Sequence, residues 1–189
     1  MSQSVSDKVR WTISDLELLS QDEGKRYEII NGELFVTRSP HWDHQRTVDN
    51  ICLELNLWSR SQRTGEARTT PGIIFSEADN VEPDVVWISN QRLSSLLDEL
   101  GHLTGAPELV VEVLSPGTIN ERRDKEAKLK LYSTQGVQEY WIVNWQLKTV
   151  EIYRRENMQL KLIATLLESD RLTSPLLPDF VCEVNRFFI

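Results

Sequence analysis

Residues 26–37 alternate apolar and polar positions around Asn31-Gly32. In residues 41–63, Val48, Ile51, Cys52, Leu55 and Trp58 recur at helical spacing, and in residues 109–114 the apolar run is broken only by Glu112. The first pattern predicts a hairpin, because a two-residue type I′ turn needs residues tolerant of positive φ, and Asn-Gly supplies them. Pairing Ile30 with Glu33 would place Tyr27, Ile29, Leu34 and Val36 on one face and Glu28, Ile30 and Phe35 on the other. The second pattern predicts a long amphipathic helix packed on a sheet. The third predicts a strand too apolar to have a wet face, in the middle of a sheet covered on both sides.

Other segments fill in around these. Residues 11–20 read as a short helix with Ser14 and Glu17 spaced as a capping box. Residues 69–76, interrupted by Pro71-Gly72, read as a bent strand or two short ones, and residues 81–89 as another strand, which carries Asp84. Helices are expected at residues 91–100 and 119–135. Strands are expected at 138–143, 149–154 and 160–166, with connections too short to make parallel pairs. The chain closes on Phe187-Phe188-Ile189, an apolar terminus that must pack on its own domain or on a second subunit, so a homodimer is allowed.

A chain of 189 residues that is 40% hydrophobic has enough apolar material for one ordinary core, so a single domain over 1–189 is expected, with residues 1–10 polar and frayed. Neither an apolar run of about 18 residues nor the apolar core of a signal peptide is present, which predicts a cytoplasmic protein without a membrane partner. Cys52 and Cys182 are isolated, which argues against a disulfide framework or a zinc site and for small buried hydrophobes. A net charge of −8 argues against a surface that coats nucleic acid generally. Basic residues nevertheless crowd one segment, at Arg122, Arg123, Lys125, Lys128 and Lys130, and the ordinary reading of Arg122, Arg123 and Lys130 is a solvated helix face.

The candidate chemistry starts from Glu112. A carboxylate in so apolar a run costs several kcal/mol, by order of magnitude, unless a cation or hydrogen-bond donors meet it. Asp84 begins the preceding apolar run, and two neighbouring strands would bring the carboxylates together. The following helix carries Asp124, Lys128 and Tyr132 in one i, i+4 row from which an amine reaches toward Glu112. Taken singly, each has a plainer reading: a strand-start acid after Pro83, a strand-end acid reaching water, an exposed helix lysine. Taken together they favour a site. His41 and His44 stand three apart without a third ligand nearby, so a hydrogen-bonding or capping role is expected for them.

Pro83-Asp84, a strand acid at Glu112 and a lysine resemble the PD-(D/E)xK nuclease superfamily. The more particular resemblance is to the Uma family of restriction-endonuclease-like bacterial proteins. It rests on Tyr27-Glu28-Ile29-Ile30-Asn31-Gly32-Glu33-Leu34, His44-Gln45, Pro83-Asp84-Val85-Val86, Val111-Glu112-Val113-Leu114-Ser115-Pro116, Asp124 with Lys128 and Tyr132, and Gly136-Val137-Gln138-Glu139-Tyr140-Trp141-Ile142-Val143, which occur in family order. The superfamily lysine normally lies two residues after the second acid, where this chain has Leu114; the resemblance is to a migrated-lysine version, in which Lys128 matches. Where family members often carry Asp after the Tyr-Trp strand, this chain has Asn144, expected at a strand end facing a turn.

The resemblance implies an α/β fold of the restriction-endonuclease type, a mixed central sheet with helices on both faces. It implies hydrolysis of phosphodiester bonds in DNA with Mg²⁺ or another divalent cation such as Mn²⁺. Asp84 and Glu112 would hold the metal, Lys128 would orient the attacking water or offset developing charge, and Glu28 and Gln45 would support them. The rival reading is a catalytically inactive nuclease-like module that binds nucleic acid or a protein partner.

Overall fold

The computed structural model describes residues 9–16, 18–19 and 24–189, the side chains of Thr118 and Ile119 excepted. Most of the expected frayed start, and the Glu17 of the expected capping box, lie outside the described residues. What is described there is α1 (Ile13–Leu16), a single helical turn.

Asn31 (φ 51°) and Gly32 (φ 74°) both adopt the left-handed conformation. The chain therefore reverses in two residues, and β1 (Lys25–Ile30) pairs with β2 (Glu33–Arg38) in the expected register, Ile30 opposite Glu33 and Glu28 opposite Phe35. The long helix α2 (Trp42–Gln62) is capped by His41, whose Nδ1 accepts from the Asp43 N–H at 3.1 Å. It ends where Arg63 turns left-handed (φ 57°). Of the segment expected as a bent strand or two short ones, β4 (Ile73–Ser76) is a strand, whereas β3 (Gly65–Thr69) lies almost wholly before it, in residues the pattern did not assign. The three-residue β5 (Asp79–Val81), whose polar Asp79-Asn80 hid it from the pattern, follows, and then β6 (Val85–Ser89). Helix α3 (Asn90–Leu96) is shorter than expected, because the Leu96 carbonyl accepts from Thr104 instead of continuing the helix.

All five residues of β7 (Leu109–Val113) are buried, as the apolar run required. The expected helix after it is three consecutive segments: α4 (Thr118–Arg122), a π-helical stretch Arg123–Lys128, and α5 (Leu129–Gln135). Then come β8 (Glu139–Asn144), β9 (Thr149–Glu156) and β10 (Gln159–Leu166). Asn144 ends its strand facing a turn, as expected, its Oδ1 accepting from the Gln146 and Leu147 N–H groups. The tail, for which the pattern gave no strands, forms β11 (Arg171–Ser174), β12 (Leu177–Glu183) and the 3₁₀ turn Val184–Phe187. Pro178 is tolerated in β12 because a two-stranded hairpin leaves one edge without a ladder to donate to.

The central sheet has the order β10-β9-β8-β7-β6-β3, and a smaller sheet has the order β2-β1-β5-β4. β7 and β8 run parallel, joined by the helical crossover, whereas β8–β9 and β9–β10 are antiparallel across tight turns. This is the mixed α/β architecture the sequence pointed to. The edge at β3 is closed by Asn56 of α2, which both donates to the Ala67 carbonyl and accepts from its N–H, each at 3.0 Å.

Strand parity divides the core. Val85, Trp87, Val111 and Val113 face Val48, Ile51 and Leu55 of α2 together with Leu172, Phe180 and Phe187, so the apolar tail packs on its own domain. Val86, Ile88, Val110 and Leu114 face Ile30, Leu131 and Tyr132 on the other side. Asp84 shares the parity of Val86, and Glu112 that of Val110. Both acids therefore start from the side of the sheet covered by the β1–β2 hairpin and α5.

Candidate active site

β6 and β7 are antiparallel neighbours with Val85 opposite Val111, which sets Asp84 beside the Glu112 end of β7. Glu112 is 2% exposed, and two donors meet the same oxygen, Oε1: the Lys128 ammonium at 2.9 Å and the Tyr132 hydroxyl at 2.9 Å. Lys128, itself 1% exposed, also lies 2.8 Å from Glu28 Oε1 and 3.9 Å from Asp124 Oδ1. Glu28 arrives from β1 and is fixed by the Glu82 N–H, which donates to its Oε1 at 2.9 Å. The structure thus brings Asp84, Glu112, Lys128 and Glu28 to one place.

Arg123 is part of the same cluster. Its guanidinium donates to both Asp124 oxygens, at 2.8 and 3.2 Å, and lies 3.8 Å from Glu28 Oε2. The expectation of a solvated face therefore holds for exposed Arg122 and Lys130 and fails for buried Arg123. The π-helical stretch is the reason. Residues five apart lie about 140° apart round an α-helix, but an i→i+5 ring brings them to one side, so Arg123 and Lys128 turn inward together.

Asp84 is held from three directions. Its Oδ2 accepts from the Val113 N–H at 2.8 Å and lies 3.4 Å from His44 Nε2, while its Oδ1 lies 3.3 Å from Arg26 Nη1. His44 Nε2 is also 2.8 Å from the Val113 carbonyl, so the tautomer protonated at Nε2 donates to that oxygen and leaves the buried Nδ1 without a partner. Among the residues named from sequence, Gln45 is the one not in the cluster. Its amide turns along α2 to Asp49 at 3.0 Å, because helical geometry gives the inward direction to His44, which is 5% exposed. Gln45→Ala is accordingly expected to shift stability by less than about 0.5 kcal/mol, measurable by urea melts; a larger loss would mean that Gln45 has a buried partner. Arg26 and Arg123, which the sequence pattern does not mark for the site, join it in the structure. A signal for Arg26 was available, since it shares the parity of Glu28 on β1.

The two neighbouring acids are pushed apart electrostatically. Burial drives the Glu112 carboxyl up to about 8; Lys128 opposes this, and Asp84, Asp124 and Glu28 reinforce it. Burial acts on Asp84 in the same sense but is outweighed there by His44, Lys128 and the Val113 N–H, so its carboxyl is held down at about 2. Lys128 is raised despite its burial by Glu112, Glu28 and Asp124, and Arg123 is raised despite its burial by Asp124 and Glu28.

The cluster forms the floor of a cleft of about 690 Å³ whose walls include Lys25, Arg26, Arg38, His44 and Ser115. Four carboxylates are buried there, Glu28, Asp84, Glu112 and Asp124, against two buried cations, Arg123 and Lys128. Hard carboxylate oxygens meeting in one cleft suit a divalent cation of the Mg²⁺ or Mn²⁺ type. Among the described residues no three His, Cys, Asp or Glu side chains form a ready-made metal cage, so water would complete the coordination of an ion held by Asp84 and Glu112.

The Uma2 family model, described as "Putative restriction endonuclease", matches residues 13–185. Among solved structures, that of a "putative nuclease belonging to DUF820" from Anabaena variabilis is similar with a TM-score of 0.73 at 17% identity, over 94% of this chain and 97% of that one. At that identity the likeness is one of fold. No curated protein matches the chain. Among the described residues no helix is long and apolar enough to cross a membrane.

Proposed function

From the premise that this chain belongs to the Uma2 family, we propose that it is a divalent-cation-dependent endonuclease hydrolysing phosphodiester bonds in DNA. The observation that carries this reading is the meeting, from neighbouring strands and in one cleft, of the Asp84 and Glu112 carboxylates, with the buried Lys128 ammonium 2.9 Å from Glu112. Asp84 and Glu112 would hold the cation, which when bound supplies Lewis acidity toward a phosphoryl oxygen and acidifies its water.

The chain's own residues do the rest. Lys128 stands between Glu28 and Glu112, and from there its ammonium would offset charge developing on the phosphoryl oxygens. Tyr132 donates to Glu112 Oε1 and keeps that carboxylate in one rotamer. Glu28 balances Lys128, and Arg123 balances Asp124, so neither cation is drawn away from the cleft floor. His44 and the Val113 N–H orient Asp84.

Cleavage of single-stranded, duplex and branched DNA, with Mg²⁺ or Mn²⁺ and with chelator, tests the reading. Wild type is expected to cut with the cation only, and Asp84→Asn to lower the rate at least about a hundredfold by weakening the hold on the cation. Binding to these DNAs without cleavage under any cation would instead support a nuclease-like module that does not cut.

A further inference from the structure

The three cations of the cluster are not held alike. Lys128 and Arg123 are 1% and 8% exposed at their side chains and have their closest carboxylate contacts at 2.8 Å. Arg26 is 26% exposed, and its contacts are long: 3.3 Å to Asp84 Oδ1, 3.4 Å to Glu82 Oε2 and 3.3 Å to the Glu82 carbonyl. Among the described residues it is the only lysine or arginine in ion-pair contact with Asp84. The cation on Asp84 is therefore the loosest and most accessible of the three. Arg26 also stands at the open end of the hairpin, where Lys25 and Arg38 are cross-strand neighbours and line the same cleft.

We propose that Arg26 is a resident counter-ion of Asp84 that a divalent cation displaces, and that its released guanidinium then takes a phosphodiester of the substrate beside Lys25 and Arg38. The inference rests on the endonuclease reading for the substrate half, whereas the exchange at Asp84 stands on the ion pair alone. A divalent cation at Asp84 repels the guanidinium, and the planar donor fork of arginine fits two phosphate oxygens at once. In the free protein the same residue limits the repulsion of Asp84 with Glu82, Glu28 and Glu112.

Calorimetric titration with Mn²⁺ at fixed ionic strength tests the exchange on the wild type, Arg26→Ala, Arg26→Lys and Arg171→Ala, the last a charge control on exposed β11, outside the cleft lining. Arg26→Ala is expected to bind Mn²⁺ about two- to fivefold more tightly, the worth of one partly exposed ion pair, with Arg26→Lys between it and the wild type and Arg171→Ala unchanged. With Mn²⁺ saturating, Arg26→Ala is expected to bind a DNA oligonucleotide at least about fivefold more weakly, the loss of one charged contact to phosphate. Arg26→Gln keeps the test open if the alanine variant does not melt cooperatively. Equal or weaker Mn²⁺ binding by the folded variants, or no Mn²⁺ binding by the wild type, overturns the proposal. Tighter binding by Arg26→Ala with no DNA cut by any form upholds the exchange and defeats the endonuclease reading instead.

Discussion

Lys128→Ala is expected to cost about 3–5 kcal/mol of stability, because removing one member of a buried ion pair strands the others. Three carboxylates lie within 3.9 Å of its ammonium, those of Glu28, Glu112 and Asp124, and the remaining cation, Arg123, pairs with Asp124 at 2.8 Å and reaches Glu28 only at 3.8 Å. For a chain of this size the loss corresponds to a fall in melting temperature of roughly 6–20 °C, at about 2–4 °C per kcal/mol. Combining Lys128→Ala with Glu28→Gln removes one stranded charge and should recover about 1–3 kcal/mol of it. A melting temperature within two or three degrees of wild type, about 1 kcal/mol, would show that Lys128 does not bridge these acids in solution. Loss of cleavage in Lys128→Ala is therefore informative only at temperatures where the variant is folded.

Glu112→Gln is expected to act in the opposite direction, and its effect depends on pH. The Glu112 carboxyl is raised from its ordinary 4.5 to about 8, chiefly by burial. Below 4.5 both folded and unfolded chains carry its proton; between 4.5 and about 8 only the folded chain does. In that window the unfolded state binds fewer protons, so stability falls as pH rises, by at most about 1.4 kcal/mol per pH unit, and the fall ends above the folded value. Asp84 behaves conversely: lowered from 3.8 to about 2, it contributes stability that is present above 3.8 and lost as pH falls toward 2. Urea melts of the metal-free protein at pH 6 and pH 9 should show wild type weaker at pH 9 and Glu112→Gln nearly level, making the variant the more stable protein at pH 9 by a few kcal/mol, an order-of-magnitude figure. A wild type equally stable at both pH values, or a Glu112→Gln variant less stable at pH 9, would show that Glu112 is an ordinary ionised partner of Lys128.

The sequence by itself determined whatever depends on parity and period. Asn31-Gly32 set the hairpin register and thereby the face of Glu28. The apolar run around Glu112 required a central buried strand, and the i, i+4 row from Asp124 through Lys128 to Tyr132 aimed an amine at it. These follow from a few residues of backbone geometry, which the neighbours in sequence dictate. Only the tertiary structure decided which elements face one another. The docking of α2 turned His44 inward and Gln45 out, the packing of the β1–β2 hairpin over β6 set Arg26 on Asp84, and the π-helical stretch turned Arg123 from a solvated position to a buried one. The i→i+5 turn has poorer local geometry than the α-helix it interrupts, and what offsets that here is the set of ion pairs with Asp124 and Glu28, the latter from a strand far away in sequence. Local pattern carries no term for a partner so distant, which is why the acids and the lysine were legible before folding and the remaining cations were not.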